Sequence, residues 1–100
     1  MEKEIEKDLL RKEEMELYKA VSLLKSSDEV AKFLRDLLTF DEIRESSNRF
    51  AAAKLLKKKV TVREISKKTK MSSATISRIN FWLHHGTGGY RLVLDRLRVK

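Results

Sequence analysis

Apolar side chains recur at intervals of three and four along most of the chain, the spacing of one helical face, with charges between them. Residues 3–25 contain no Gly or Pro and are rich in Glu, Lys and Leu, so one helix is expected there. Ile5, Leu9, Leu17, Ala20, Val21 and Leu24 form its stripe. At 1.5 Å per residue such a helix is about 35 Å long, against a radius of gyration of about 13 Å for a 100-residue globule. The surplus stripe needs another surface, and a partner chain is the simplest one.

Residues 26–29 (SSDE) read as a break and restart, with Ser27 as the cap of a second helix and its acidic pair on the positive helix end. Val30, Phe33, Leu34, Leu37 and Leu38 are its expected buried stripe. Thr39 and Glu42 have the spacing of a capping box, opening a third helix to about Lys57. Ile43, Phe50, Ala53 and either Leu55 or Leu56 should face inward, and Ala51 to Ala53 allow close approach of another helix. Lys57, Lys58 and Lys59 suit the negative C-terminal end, or a row of phosphates. Thr61 and Glu64 form a second box for a short helix ending near Thr69. Lys70 and Met71 make a turn, and Ser72 caps a helix to about His85. Gly86 is expected in the left-handed conformation past that helix. Residues 90–98 form the last helix, with Leu94 and Leu97 inward.

Composition narrows the class. The length of 100 residues suits one domain over 1–100, made of a long dimerisation helix (3–25), a helical core (27–58), a pair of short helices (61–85) and a C-terminal helix (90–98). There is no proline, and the three glycines all fall within residues 86–89, too few turn residues for a β-sandwich or barrel. The absence of cysteine excludes disulfides, thiolate metal sites and Cys nucleophiles. No apolar run approaches the roughly 18 residues of a membrane span, and residues 1–8 lack the pattern of a signal peptide, so a cytoplasmic protein is expected. Charge is the sharper signal. Residues 1–45 carry nine basic and thirteen acidic side chains, and residues 46–100 carry fourteen and two, for nets of −4 and +12. Such asymmetry points the second half at a polyanion, most often nucleic acid.

The two short helices have the dimensions of a helix-turn-helix. Ile65 and Ser66 lie on the inner face of the first, Met71 plugs the turn, and Ile76 and Ile79 pack the second back on it. Ser66 and Ala74 are small enough for a close crossing. Ser72, Ser73, Ala74, Ser77 and Arg78 are left facing outward at the front of the second helix, the part of a recognition helix that meets base edges. Short residues let the helix lie deep, and hydroxyls serve donors or acceptors. Arg63, Lys67 and Lys70 can reach the duplex beside them. Lys70 occupies the turn position usually taken by glycine, where a left-handed conformation costs about 1 kcal/mol or more.

Four runs, LTFDEIR at 38–44, VREIS at 62–66, ATISRIN at 74–80 and GTGGYRL at 86–92, resemble the Trp repressor superfamily, most of all its TrpR-like YerC/YecD branch. The resemblance covers residues from about 30 to 97. It implies an all-α, Trp-repressor-like helical bundle, an intertwined homodimer whose two helix-turn-helix units address successive major grooves of double-stranded DNA. Ser73, Ala74 and Ser77 match positions that face bases, Arg63 a base- or phosphate-contacting arginine, and Thr75 a phosphate contact. Arg78 matches the arginine at the boundary of corepressor and DNA. Arg49 matches the other ligand-holding arginine through a one-residue gap between 49 and 61. Three departures from the tryptophan-sensing members stand out: Phe40 replaces a proline, Lys70 a glycine, and Ile79 the glycine that admits the indole. The last argues against L-tryptophan as effector, and no other effector is indicated.

Other constellations carry less. The run from Gly86 to Gly89 lacks the Lys-Ser/Thr and the strand of a phosphate loop. His84 and His85 are adjacent, so on a helix they diverge by about 100° and do not share a metal. A serine hydrolase needs a carboxylate and His beside Ser, and the basic half offers only Glu64 and Asp95, so no enzyme and no cofactor is expected. Trp82 reads as a core or interface residue rather than a base-stacking one. The expected function is a repressor-like, sequence-specific transcription regulator. The alternative is a protein-interaction adaptor that uses the long N-terminal helix and binds no DNA.

Overall fold

The computed structural model describes residues 11–100, which form six helices and no strand. They are α1 (Lys12–Ser22), α2 (Ser27–Leu37), α3 (Phe40–Lys57), α4 (Val62–Lys68), α5 (Ser73–His85) and α6 (Gly89–Arg96). None of them is long and apolar enough to cross a membrane. The described residues divide into two compact units between Ile43 and Arg44, next to the break in charge.

In the first unit, local chemistry sets the helix ends. The expected helix over 3–25 falls partly outside the described residues, and its described part stops at Ser22. There the Ser22 hydroxyl donates to the Lys19 carbonyl at 2.6 Å, a local bond that competes with the helical ladder. The cap of α2 is Ser26 rather than Ser27. Ser26 is extended (φ −151°, ψ 164°) and its Oγ accepts from the Glu29 N–H at 3.2 Å. Glu29 in turn accepts from the Lys25 N–H at 2.8 Å, one residue before the cap, and the cap itself sits one residue earlier than expected. The box at 39–42 is as expected: the Thr39 N–H donates to Glu42 Oε1 at 2.9 Å and the Glu42 N–H to Thr39 Oγ1 at 3.1 Å. The Arg35 guanidinium lies 3.4 Å from the Phe40 ring centroid and donates to the Leu38 carbonyl, pinning the turn between α2 and α3. Neither α1 nor α2 buries a residue. On the α2 stripe Val30, Phe33, Leu34 and Leu38 are half-buried and Leu37 is exposed.

The second unit holds the core. Ala52 and Ala53 of α3 pack with Ile65 of α4 and with Ile76 and Ile79 of α5, all at most 4% exposed. Leu55, Leu56, Val60, Val62, Met71 and Tyr90 close around them. Two alanines in place of larger side chains let the helices come together over three isoleucines, each contributing about 1.5–3 kcal/mol on burial. Helix α3 ends in a Schellman turn: the Val60 N–H reaches the Leu55 carbonyl and the Lys59 N–H the Leu56 carbonyl, both at 3.0 Å. Lys59 is left-handed there (φ 70°). Helix α6 ends the same way, with Arg98 at φ 59° and Val99 bonded to the Leu94 carbonyl.

The turn residues and the last helix differ from expectation. Lys70 is not among the left-handed residues, so its cost does not arise. Gly86 is extended (φ −81°, ψ −157°), and the left-handed glycine is Gly88 (φ 93°) at the start of α6. Leu94 is buried as expected, but Leu97 is 55% exposed because the Schellman turn folds Val99 back in its place.

Candidate nucleic-acid interface

Hydroxyls hold the turn between α4 and α5 in the place of a glycine. Thr69 Oγ1 donates to the Ile65 carbonyl at 2.8 Å and accepts from the Met71 N–H at 3.2 Å. Ser66 Oγ donates to the Met71 carbonyl at 3.1 Å, and the Met71 side chain plugs the turn against the core. Ser72 then caps α5 as expected. Its Oγ accepts from the Thr75 N–H at 3.1 Å and donates to Thr75 Oγ1 at 2.9 Å. That leaves the half-buried Thr75 hydroxyl free to turn its own proton outward.

The periodicity of α5 does the rest. Ile76, Ile79 and Leu83 are buried, so Ser73, Ala74, Ser77 and Arg78 project from the opposite side, all exposed. Ser73 and Ser77 are four apart and lie in one row, with Ala74 and Arg78 in the next. Arg63 is exposed in the first turn of α4, Lys67 in its last turn, and Lys70 in the connecting turn. No Asp or Glu occurs between Glu64 and Asp95, so this stretch meets an anion without carboxylate repulsion. Arg49 is exposed on α3 and Arg78 on α5, and neither lines the surface recesses described in this unit.

Three features escaped the sequence. Arg91 of α6 donates from Nε to the Leu83 carbonyl at 3.2 Å and from Nη2 to the His84 carbonyl at 3.1 Å, capping the last turn of α5. Nothing in the periodicity signals a bond across the Gly-rich connection. Gly86 is needed for closeness: a Cβ there would stand 2.5 Å from the Trp82 carbonyl oxygen. Trp82 is 50% exposed rather than buried in this chain, edge-on to Phe81 at 5.4 Å. With Gly86, Thr87, Gly89 and Tyr90 it lines a recess of about 400 Å³. Among the described residues no group of three or more His, Cys, Asp or Glu could hold a metal ion.

A capped, carboxylate-free helix presented by a second helix across a four-residue turn defines the helix-turn-helix class. The comparisons agree. The profile of the Trp repressor protein matches residues 12–98. The uncharacterized protein YerC of Bacillus subtilis (strain 168) is 35% identical over 92 residues, 91% of this chain and 88% of that one. The crystal structure of a TrpR-like protein from Eubacterium eligens ATCC 27750 superposes with a TM-score of 0.84 at 39% identity, covering 92% of this chain and 95% of the other. A candidate Trp repressor from Staphylococcus aureus gives 0.85 at 33% identity, with 94% of each chain covered. The chain belongs to the Trp repressor family, in its TrpR-like YerC branch. At the level of that family it is a DNA-binding regulator.

Proposed function

We infer that the chain is a sequence-specific transcription regulator that binds double-stranded DNA as a helix-turn-helix homodimer. The observation that carries this is the exposed front of α5, where Ser73, Ala74, Ser77 and Arg78 project from a segment without carboxylates. Lys57, Lys58, Lys59 and Lys67 supply salt-sensitive attraction to phosphates by releasing counterions. Arg63, Lys70, Ser72 and Thr75 fix the register on the backbone, and Ser73, Ala74, Ser77 and Arg78 read bases. In a two-fold dimer the half-sites lie about one helical turn apart.

Competition binding between a selected site and random duplexes tests the reading. Arg78→Ala should cost about 1–3 kcal/mol on the selected site and lower the specific-to-random ratio. Lys67→Ala should weaken all duplexes about equally and flatten the salt slope by about one unit. An unchanged ratio for Arg78→Ala contradicts the assignment of readout to α5. An adaptor that ignores DNA would show no duplex retention at moderate salt.

A further inference from the structure

A second recess in the same unit, about 550 Å³, lies between the C-terminal ends of α3 and α5, one side of α6 and the residues that follow it. Its size falls within the range of small-ligand sites, about 300–1,000 Å³. Lys57, Lys59, Arg91 and Lys100 line it together with His84, and Asp95 supplies one carboxylate. Leu56 and Leu83 add an apolar part to the wall. Lys59 and Lys100 owe their places to two Schellman turns: Lys59 is the left-handed residue of the first, and Lys100 follows Val99 of the second. We propose that this recess is an effector site for a small phosphorylated molecule that carries hydroxyl groups, such as a sugar phosphate.

The donors have to outweigh the negative C-terminal ends of α3 and α5, and Arg91 already blunts the α5 end by binding its Leu83 and His84 carbonyls. Arg91 spends one N–H each from Nε and Nη2 on the carbonyls of Leu83 and His84, which leaves three of its five N–H groups for a ligand. The lysines add compact charges, and charge-assisted bonds to phosphate are the strong kind. Asp95 repels a bare anion but accepts from a hydroxyl, so it selects an ester that brings a hydroxyl with it. The site is distinct from the base-reading residues of α5, although it shares Lys57 and Lys59 with the lysines assigned above to duplex attraction. His84 lies eleven residues beyond Ser73, about 16 Å along the helix axis. A concave wall suits a small molecule better than a duplex backbone. Arg91 joins the recess to the last turn of α5, so a ligand held by that guanidinium bears on the helix that carries the reading residues. This coupling rests on the DNA reading above, whereas the binding site does not.

Calorimetric titration of the full chain at low salt, without DNA, with ribose phosphate, glycerol phosphate and inorganic phosphate tests the site. The esters should bind at least about tenfold tighter than inorganic phosphate, a gain of about 1.4 kcal/mol. Lys100→Ala and Arg91→Gln should each weaken the esters severalfold, and Lys100→Ala keeps the test open if Arg91→Gln unfolds the protein. Asp95→Ala, which removes both the charge and the acceptor, should strengthen inorganic phosphate while erasing the ester preference. Arg78→Ala, on the reading face, should leave ester affinity unchanged. No ester binding at millimolar concentration, equal binding of ester and phosphate, or equal loss in Arg78→Ala overturns the proposal. So does loss of duplex affinity in Lys100→Ala with no ester binding, which would make the recess a backbone contact. Duplex affinity measured with and without ribose phosphate then checks the coupling, and an unchanged affinity despite ester binding overturns the effector role.

Discussion

Gly86 is held by what lies beside it rather than by its dihedral angles. Its backbone is extended, which any residue adopts, yet a Cβ would meet the Trp82 carbonyl oxygen at 2.5 Å and the Trp82 ring at 3.3 Å. Gly86→Ala should therefore destabilise the fold by about 1–3 kcal/mol, the range for overpacking, as read by urea unfolding. Stability equal to the parent would show that the α5 end yields. Ile79 is likewise held by its surroundings. It is 4% exposed and packed with Ile65 and Ile76, and a β-branched side chain has little freedom to swing aside. Its side chain fills the core at the position where the resemblance to tryptophan-sensing members implies a glycine. Millimolar L-tryptophan should give no measurable heat with the protein and less than about a tenfold change in duplex affinity, a difference of about 1.4 kcal/mol. A larger gain would restore tryptophan as the effector.

The helices owe their ends to short polar side chains, and these were legible wherever the partners lie close in sequence. The capping box at Thr39 and Glu42 and the cap at Ser72 appear as read. At 26–29 two serines competed for one role. Ser26 holds it because Glu29 sits three residues on, whereas Ser27 has Val30 at that spacing. Under the proposed function, Ser72 carries the helix cap as well as a backbone contact, whereas its neighbour Ser73 makes no cap and is left for base contact. Ser72→Ala removes both the acceptor for the Thr75 N–H and the donor to Thr75 Oγ1, and should cost about 1 kcal/mol of stability. Ser73→Ala, at an exposed position, should stay within about 0.5 kcal/mol in stability while changing the DNA preference. Thermal unfolding of the two variants beside site selection checks this, and equal destabilisation by both would refute the division of roles.

At the scale of the molecule, charge and unsatisfied apolar surface set the behaviour. Residues through Ile43 carry a net charge of −4 and those from Arg44 onward +12, so phosphate attraction belongs to the second unit. Helices α1 and α2 bury no residue, and Met15, Leu17, Tyr18, Val21 and Leu23 are all exposed. Surface of that kind calls for a protein partner. Sedimentation equilibrium should find the full chain dimeric at micromolar concentration, and a shortened chain starting at Asp28 more weakly associated. A monomeric full-length chain would rule out the homodimer.

The helix positions of the second unit, the caps at Thr39, Thr61 and Ser72, and the inward sides of α4 and α5 are legible in the sequence, because each depends on residues within four positions of one another. The outward face of α5 followed by subtraction, since a helix that buries one side must show the other. The rest depends on contacts between helices. Whether Gly86 or Gly88 would turn left-handed, whether Leu97 or Val99 would fold inward, and that Arg91 would cap α5 all depend on how α6 packs back on α5. That packing is a balance of close contacts between residues up to eight positions apart, and no helical period records it.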